Sequence, residues 1–570
     1  MTQRLETHGV DSPRQLSALL RAGGFFLAAS VALGIAPSLT GCVAQNDDLV
    51  SGTSDDITVT ATDVVGPLAV GEARAIALPK GTGYRAYKLK LTAKTKVGFT
   101  VTSYNGVPAA YLLDASFQTL AKRVEPLASD APHREEASAR VFLDVPSDDT
   151  YYLAFRDRSG AAASFTVTFV GAIPSTPAQC TKTSQCPSGS CFLNRCVQSK
   201  EGVVPEAIDA FDLAYDDAGA LQLASAARAA VPFIDHLYRP PPTYSLLVGS
   251  VDVQPRAKIW ILPDESYGSG FRPKPFGFDH TPNGPAVLDF ADSDYLARDR
   301  VSFGDVDSER FLGVGPGTVR SYDATRSADG TQHVGVLACV PEGAGTKAGC
   351  GVYYASRRPG AAWSALETVT SASEFFTAQL WMHPRANGGV DILFGQKNGS
   401  LGSWGRVSAG VWSTRTVLSR SGWQFDYAFA HGADGHTHAI VTENLPNPQS
   451  AVLSLALEAH YLEIGDNGDV VRSFSLETND GPGQYPTIAV DGSGYVYAEE
   501  RYDRTRPSLV RIDALGDVLR SPLGDNVKDA PKGGPFASRL AVSKSGAVAF
   551  GWLTPPGTSS AFLTIRRFTP

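Results

Sequence analysis

Residues 431–443 read HGADGHTHAIVTE: an apolar strand end, a turn closing on glycine, and a second apolar strand. The same arrangement recurs in FDLAYDDAGALQLAS (211–225), FDHTPNGPAVLDF (278–290), RSADGTQHVGVLA (326–338), HPRANGGVDILFG (383–395), IAVDGSGYVYAEE (488–500) and LAVSKSGAVAFGW (540–552). With Gly219, Gly284, Gly330, Gly389, Gly435, Gly494 and Gly546 as the turn glycines, the repeats lie about 54 residues apart, a period that suits blades of four antiparallel strands. A lone blade buries its faces only against neighbours, so seven repeats predict a β-propeller over 203–570. The sixth unit shows all four strands, as TIAVD, YVYAE, SLVRI and DVLRS, with a turn from Ala514 to Asp517.

The last unit stops at Pro570 after three strands. Residues near 203–210 are therefore expected to supply its fourth and to remove two open sheet edges. The stretch from Ala226 to Ser269, broken by RPPPTY, does not parse into clean strands. Six blades with an insertion stay open beside seven.

Upstream, 57–172 alternates apolar and polar residues in short runs, among them YRAYKLKL from Tyr84, AYLLD from Ala110, YYLAF from Tyr151 and SFTVTFV from Ser164. Phe165, Val167 and Phe169 share one face of the last run, the period of two of a half-buried strand. The segment reads as a β-sandwich, making the fold class all-β. Its order of strands, with Asp149 and Tyr152, resembles the bacterial pre-peptidase C-terminal domain, which implies an accessory or binding module.

Composition agrees with this reading. Charged residues are 19%, with 56 Gly and 37 Pro, which favours turn-rich β structure over helical bundles. The net charge of -8 is mild and the basic residues are scattered, so no nucleic-acid partner is expected.

The chain carries seven Cys. Cys180, Cys186, Cys191 and Cys196 lie in a short polar segment, 173–202, that needs cross-links to hold a shape. Two disulfides are expected there, in any of three pairings. Zinc is the rival, but the spacing lacks paired C-x2-C knuckles. The segment resembles the small modules between domains of bacterial surface lipoproteins. Cys339 and Cys350 flank PEGAGTKAG and are placed to clip a hairpin.

The remaining cysteine, Cys42, ends Leu39-Thr40-Gly41-Cys42 after Arg4, Arg14, Arg21 and an apolar run from Phe25 to Ala36. That order reads as an export signal. The four residues resemble the bacterial lipobox, which implies cleavage of residues 1–41, a diacylglycerol on Cys42, palmitate-type acyl chains in a membrane, and placement at the cell envelope, outer membrane or surface. Residues 42–56 then form a flexible tether.

Candidate chemistry is sparse. VYYASRRPGAAWSALETV (352–369) resembles the Asp-box hairpin of sialidase-like propellers through Ser356, Gly360 and Trp363, with Arg358 at the Asp position. Trp412 holds a similar place in the fourth unit, and both tryptophans are expected to pack. Sialidases announce an arginine in a Phe/Tyr-Arg-Ile-Pro motif; Tyr238-Arg239-Pro240-Pro241 is the nearest approach and departs at the third position, leaving Arg239 a weak catalytic candidate.

His333 and His438 occupy equivalent repeat positions, a D-x-x-G-x-x-H pattern that resembles sialidase-like blades and argues for packing. His436 and His438 are the metal candidates, needing a third ligand from another blade. No nucleophile elbow, zincin helix, P-loop or dinucleotide fingerprint occurs, so no cofactor is expected. The reading is a non-catalytic envelope lipoprotein whose propeller face binds a glycan, peptide or protein. A sialidase-like hydrolase or lyase and an architectural envelope component are the alternatives.

Overall fold

The computed structural model describes residues 57–570 apart from 125–136, 188, 208–209, 217, 229–243, 253–256, 262–275, 279–286, 293–294, 303–304, 314–317, 341–348, 371–379, 396–399, 420–422, 447–454, 477–486, 504–505, 524–537 and 555–561. The export signal, Cys42, the tether, the Tyr238–Pro241 motif with Arg239, and the turn at Gly284 lie outside the described residues.

The N-terminal unit is a sandwich of two sheets. One has the order Val64–Pro67, Arg85–Leu91, Asp149–Asp157, Pro108–Leu113, Thr119–Val124; the other runs Ala73–Leu78, Ala163–Pro174, Thr95–Ser103, Ala137–Asp144. Strand Ala163–Pro174 alternates as its sequence demands: Phe165, Val167 and Phe169 are buried while Ser164 and Thr166 are exposed. Phe169 lies against Phe99 with ring centroids 4.3 Å apart, and Phe99, Phe155 and Phe165 sit in one core between the sheets.

Among the described residues, the strands from Arg195 onward form seven sheets, six of them of consecutive neighbours, and the fold is a sandwich followed by a propeller. Blade one runs from Ala210–Tyr215 to Ala257–Ile261 and blade two from Phe276–Phe278 to Asp305–Gly313. Blades three to six begin with Thr318–Arg326, Leu380–Pro384, Trp423–His431 and Ile488–Val490. Blade one is therefore built across the stretch that the sequence left unparsed, with strands on both sides of the proline run.

Blade seven is composite. Ser538–Val542, Val548–Thr554 and Phe562–Thr569 are joined by Arg195–Ala207, which pairs antiparallel with Phe562–Thr569 from Gln198↔Thr569 to Ala207↔Phe562. The completing strand lies a few residues earlier than expected, and it runs across the boundary drawn at 202/203. Phe211 and Leu213 of blade one pack with Ala549, Leu563 and Ile565 of blade seven in one buried cluster, so the first and last blades meet.

Strand Arg195–Ala207 also belongs to the Cys-rich segment. It forms a hairpin with Ser190–Phe192 through Leu193 and Asn194, whose φ values of 48 and 58 fit a primed two-residue turn. The disulfides are Cys180–Cys191 and Cys186–Cys196, which settles the pairing and leaves no thiolates there for zinc. Phe192 stacks on Phe568 at 3.8 Å, fixing the module to the edge of blade seven.

The described first hairpin turns share one geometry. In blade three Gly330 N–H donates to Ser327 O at 2.9 Å and Ser327 N–H to Thr331 O at 2.9 Å, and Gly330 takes φ 82. Such three-residue loops end in the left-handed region that glycine enters without strain. In blade four that residue is Gly388, φ 77, and not the Gly389 taken from the repeat.

Candidate functional site

The sandwich and the propeller are joined at the turn Asp513–Asp517 of blade six. Leu515, 4% exposed, projects from that turn onto Gly98 and Gly171, directly paired residues of the sandwich. A Cβ on Gly171 would lie 3.1 Å from Leu515 Cδ2, and one on Gly98 3.3 Å from its Cβ. The two glycines floor the notch that receives the leucine.

Ionic contacts surround this plug. Lys96 Nζ donates to Asp513 Oδ2 at 2.7 Å and also pairs with Asp517. Burial works against the Lys96 charge, but Asp517 and Asp513 outweigh it and its pKa is raised. Arg140 donates to Gly516 O at 2.7 Å and places its guanidinium 3.7 Å from the Phe474 ring centroid.

Beside these contacts opens a cleft of about 650 Å³. Its cations are Lys96, Lys122, Arg123 and Arg140 from the sandwich, Arg195 from the Cys-rich hairpin, and Arg511 and Arg520 from blade six; its carboxylates are Asp144, Asp513 and Asp517. Two of the three carboxylates are already engaged by Lys96. The cleft is therefore cationic in a chain of net charge -8.

Tyr495 lines the same space, with the Arg511 and Arg195 guanidiniums 4.8 and 5.6 Å from its ring centroid. Arg511 Nη1 is buried without a hydrogen-bond partner, a donor left for something else to accept. Sequence reading singled out none of these residues as a site. Lys96 and Asp513 stand 417 positions apart, and no local pattern links them.

The histidines form a second group. His333 Nδ1 meets Tyr354 OH at 2.7 Å and its Nε2 meets Ser327 Oγ at 2.6 Å. Burial lowers its pKa to about 4, so the ring is neutral. His438 makes the same contact with Tyr461 OH at 2.7 Å, but its Nε2 has no hydrogen-bond partner.

A polar lock recurs at this place. The residue opening the turn reaches the one six positions on in Asp216–Gln222 at 2.7 Å, Ser327–His333 at 2.6 Å, Arg385–Asp391 at 2.8 Å and Asp491–Tyr497 at 3.1 Å. In blade five the opening residue is Gly432, and His438 Nε2 faces Asp434 Oδ1 at 3.9 Å.

His436, just ahead of strand Thr437–Pro446, turns the same corner. Its Nδ1 lies 2.7 Å from Glu463 Oε1 and 3.7 Å from Asp434 Oδ2, and its Nε2 3.3 Å from Asp466 Oδ1. The companions of the two candidate histidines are thus on their own blade and not on another. Burial opposes the Asp434 charge, yet the His438 ring and the His436 N–H hold its carboxyl down to about 2.

A third set of imidazoles ties three blades together. His383 Nδ1 meets Thr437 Oγ1 at 2.6 Å, His431 Nδ1 the same hydroxyl at 3.0 Å, and His431 Nε2 Thr325 Oγ1 at 3.3 Å. Burial lowers the His383 pKa to about 4, and the chain of contacts links blades three, four and five.

The tryptophans are packed. Trp412 of blade four lies edge-on to Tyr354 of blade three at 5.1 Å, and Trp363 sits in the blade-three cluster under Arg357. Strands Gln332–Val340 and Gly349–Arg357 set Cys339 directly opposite Cys350; their side chains lie outside those described.

Searches for known relatives returned solved structures at low similarity. The α-L-arabinofuranosidase of Fusarium graminearum, crystallised with arabinobiose, is 11% identical over 63% of this chain and 93% of its own, with a TM-score of 0.33. The NanB sialidase of Streptococcus pneumoniae is 8% identical over 88% and 99%, TM-score 0.30. The BP39L lectin of Burkholderia pseudomallei is 11% identical over 63% and 98%, TM-score 0.37. No family model and no curated protein matches the chain. The ground for the fold is the order of its sheets.

Proposed function

We propose that this protein is a lipid-anchored binding protein of the cell envelope that holds an acidic oligosaccharide, bearing uronate or sulfate groups, in the cleft between sandwich and propeller. The observation that carries this reading is the cationic lining of that cleft, above all Arg511, whose buried Nη1 has no acceptor while its guanidinium lies over Tyr495. Guanidinium groups donate in a planar fork that suits carboxylate and sulfate, and a tyrosine ring offers an apolar face to a sugar. The walls are held by Leu515, Lys96 and Arg140, so little ordering is left to the binding step.

The test is binding of fluorescent heparin-type and polygalacturonate oligosaccharides to the full chain, with neutral dextran as control. Acidic ligands are expected to bind, with affinity falling as salt rises, and Arg511→Ala to weaken binding about tenfold through loss of one charge-assisted contact. Equal binding of dextran, or an unchanged Arg511→Ala, would overturn the reading.

The anchor is tested separately. Cys42→Ala should release the chain from the membrane fraction and abolish labelling by an alkynyl fatty acid. Retention of both would show that Cys42 is not the attachment point.

A further inference from the structure

Away from the cleft, one corner of the propeller departs from its own repeat. Blades three and five align as Ser327-Ala328-Asp329-Gly330-Thr331-Gln332-His333 and Gly432-Ala433-Asp434-Gly435-His436-Thr437-His438. In blade three the polar atoms satisfy one another: Ser327 takes His333 Nε2, and Asp329 accepts from Thr331 N–H and Oγ1 at 2.9 and 3.0 Å. Across the hairpin His333 faces Ser356, a neutral hydroxyl.

Blade five changes each of these places. Gly432 removes the hydroxyl, His436 replaces the threonine, and Glu463 stands opposite His438. The result is an imidazole and two carboxylates whose donor atoms lie within 4.8 Å of one another, with a 3% exposed histidine behind them whose Nε2 is unpartnered.

We infer that Asp434, His436 and Glu463 bind a divalent metal ion of the zinc class. Imidazole nitrogen with carboxylate oxygens suits zinc and its first-row neighbours, whereas calcium and magnesium prefer oxygen alone. With Nδ1 of His436 on the metal, its proton moves to Nε2, which faces Asp466 Oδ1 at 3.3 Å. This is the carboxylate–histidine relay that orients metal-bound imidazoles. Arg472 Nε, 3.5 Å from Glu463 Oε2, leaves Oε1 for the ion. His438 Nε2 is the donor available to Asp434.

Charge and access fit as well. Asp434, Glu463 and Asp466 against Arg472 leave a net of two negative charges, matched to a dication. Asp434 is 46% exposed at its side chain, so the ion enters from solvent.

The full chain, purified without a histidine tag and stripped with chelator, is titrated with Zn²⁺ alone. One tight equivalent is expected, and Co²⁺ in its place should give the visible bands of a low-coordinate nitrogen–oxygen site. His436→Ala and Glu463→Gln should each weaken that equivalent by about 10- to 100-fold or more, while Asp466→Asn weakens it less. Wild-type protein that retains no zinc at micromolar concentrations overturns the inference. So does His436→Ala protein, melting like the wild type, that retains as much.

Discussion

Blades three and five carry nearly the same hairpin with opposite outcomes. Both place a buried histidine 2.7 Å from a tyrosine hydroxyl on the next strand, with ring centroids 6.0 Å apart. In blade three the second ring nitrogen is closed by Ser327; in blade five it is open toward a carboxylate. The repeat therefore specifies where the imidazole stands, and the turn-opening residue decides whether it is sealed into the structure or left for chemistry.

The largest test of that contrast removes the rings. His333→Ala should cost about 3–4 kcal/mol, because a cavity opens and the Ser327 and Tyr354 hydroxyls lose their partner. His438→Ala should cost distinctly less, since Tyr461 is deprived but Asp434, 3.9 Å away and 46% exposed, stays open to water. Equal shifts in thermal and denaturant midpoints would break the comparison.

The pH response comes next. An unfolded histidine protonates near 6.5, whereas native His333 stays neutral down to about 4. Between those values the unfolded chain binds more protons, so stability rises with pH and is lost as pH falls through the window. Moving a pKa that far corresponds to on the order of 3 kcal/mol, and His383 adds a similar dependence. Unfolding measured from pH 7 to 4 should flatten in His333→Gln.

Smaller effects sharpen the point. Ser327→Gly gives blade three the opening residue of blade five and should cost about 1–2 kcal/mol by leaving His333 Nε2 unsatisfied. His436→Thr, which carries blade three's residue into blade five, should shift metal-free stability by no more than about 1 kcal/mol, the worth of the half-buried contact with Glu463. A large loss there would mean that the ring serves the fold.

Much of the architecture was legible because it is local. Turn glycines and period-two strands such as Ser164–Val170 recur within a few residues, and blade six could be read strand by strand. Blade one was not, since its strands flank a proline-rich insertion that interrupts the period. His436 and His438 could be singled out by type and spacing, but Glu463 and Asp466 arrive on the second hairpin of the same blade, 27 and 30 positions beyond His436. Their approach is set by strand register and not by any motif. The cleft was invisible for a stronger reason: Arg140 and Arg511 belong to two units whose docking depends on a leucine meeting two glycines, and Arg195 arrives on a third segment fixed by the Phe192–Phe568 stack.

The completing strand of blade seven also dictates an order of assembly. Arg195–Ala207 is made long before its partner Phe562–Thr569, with Gln198 and Thr569 371 positions apart. During synthesis the ring thus stays unlatched until Phe562–Thr569 has been made, and a product cut short before residue 562 keeps an orphaned strand. Contacts of such long separation are slow to form and exposed to mispairing. The cross-linked hairpin beside that strand is well placed to keep it in shape through the wait.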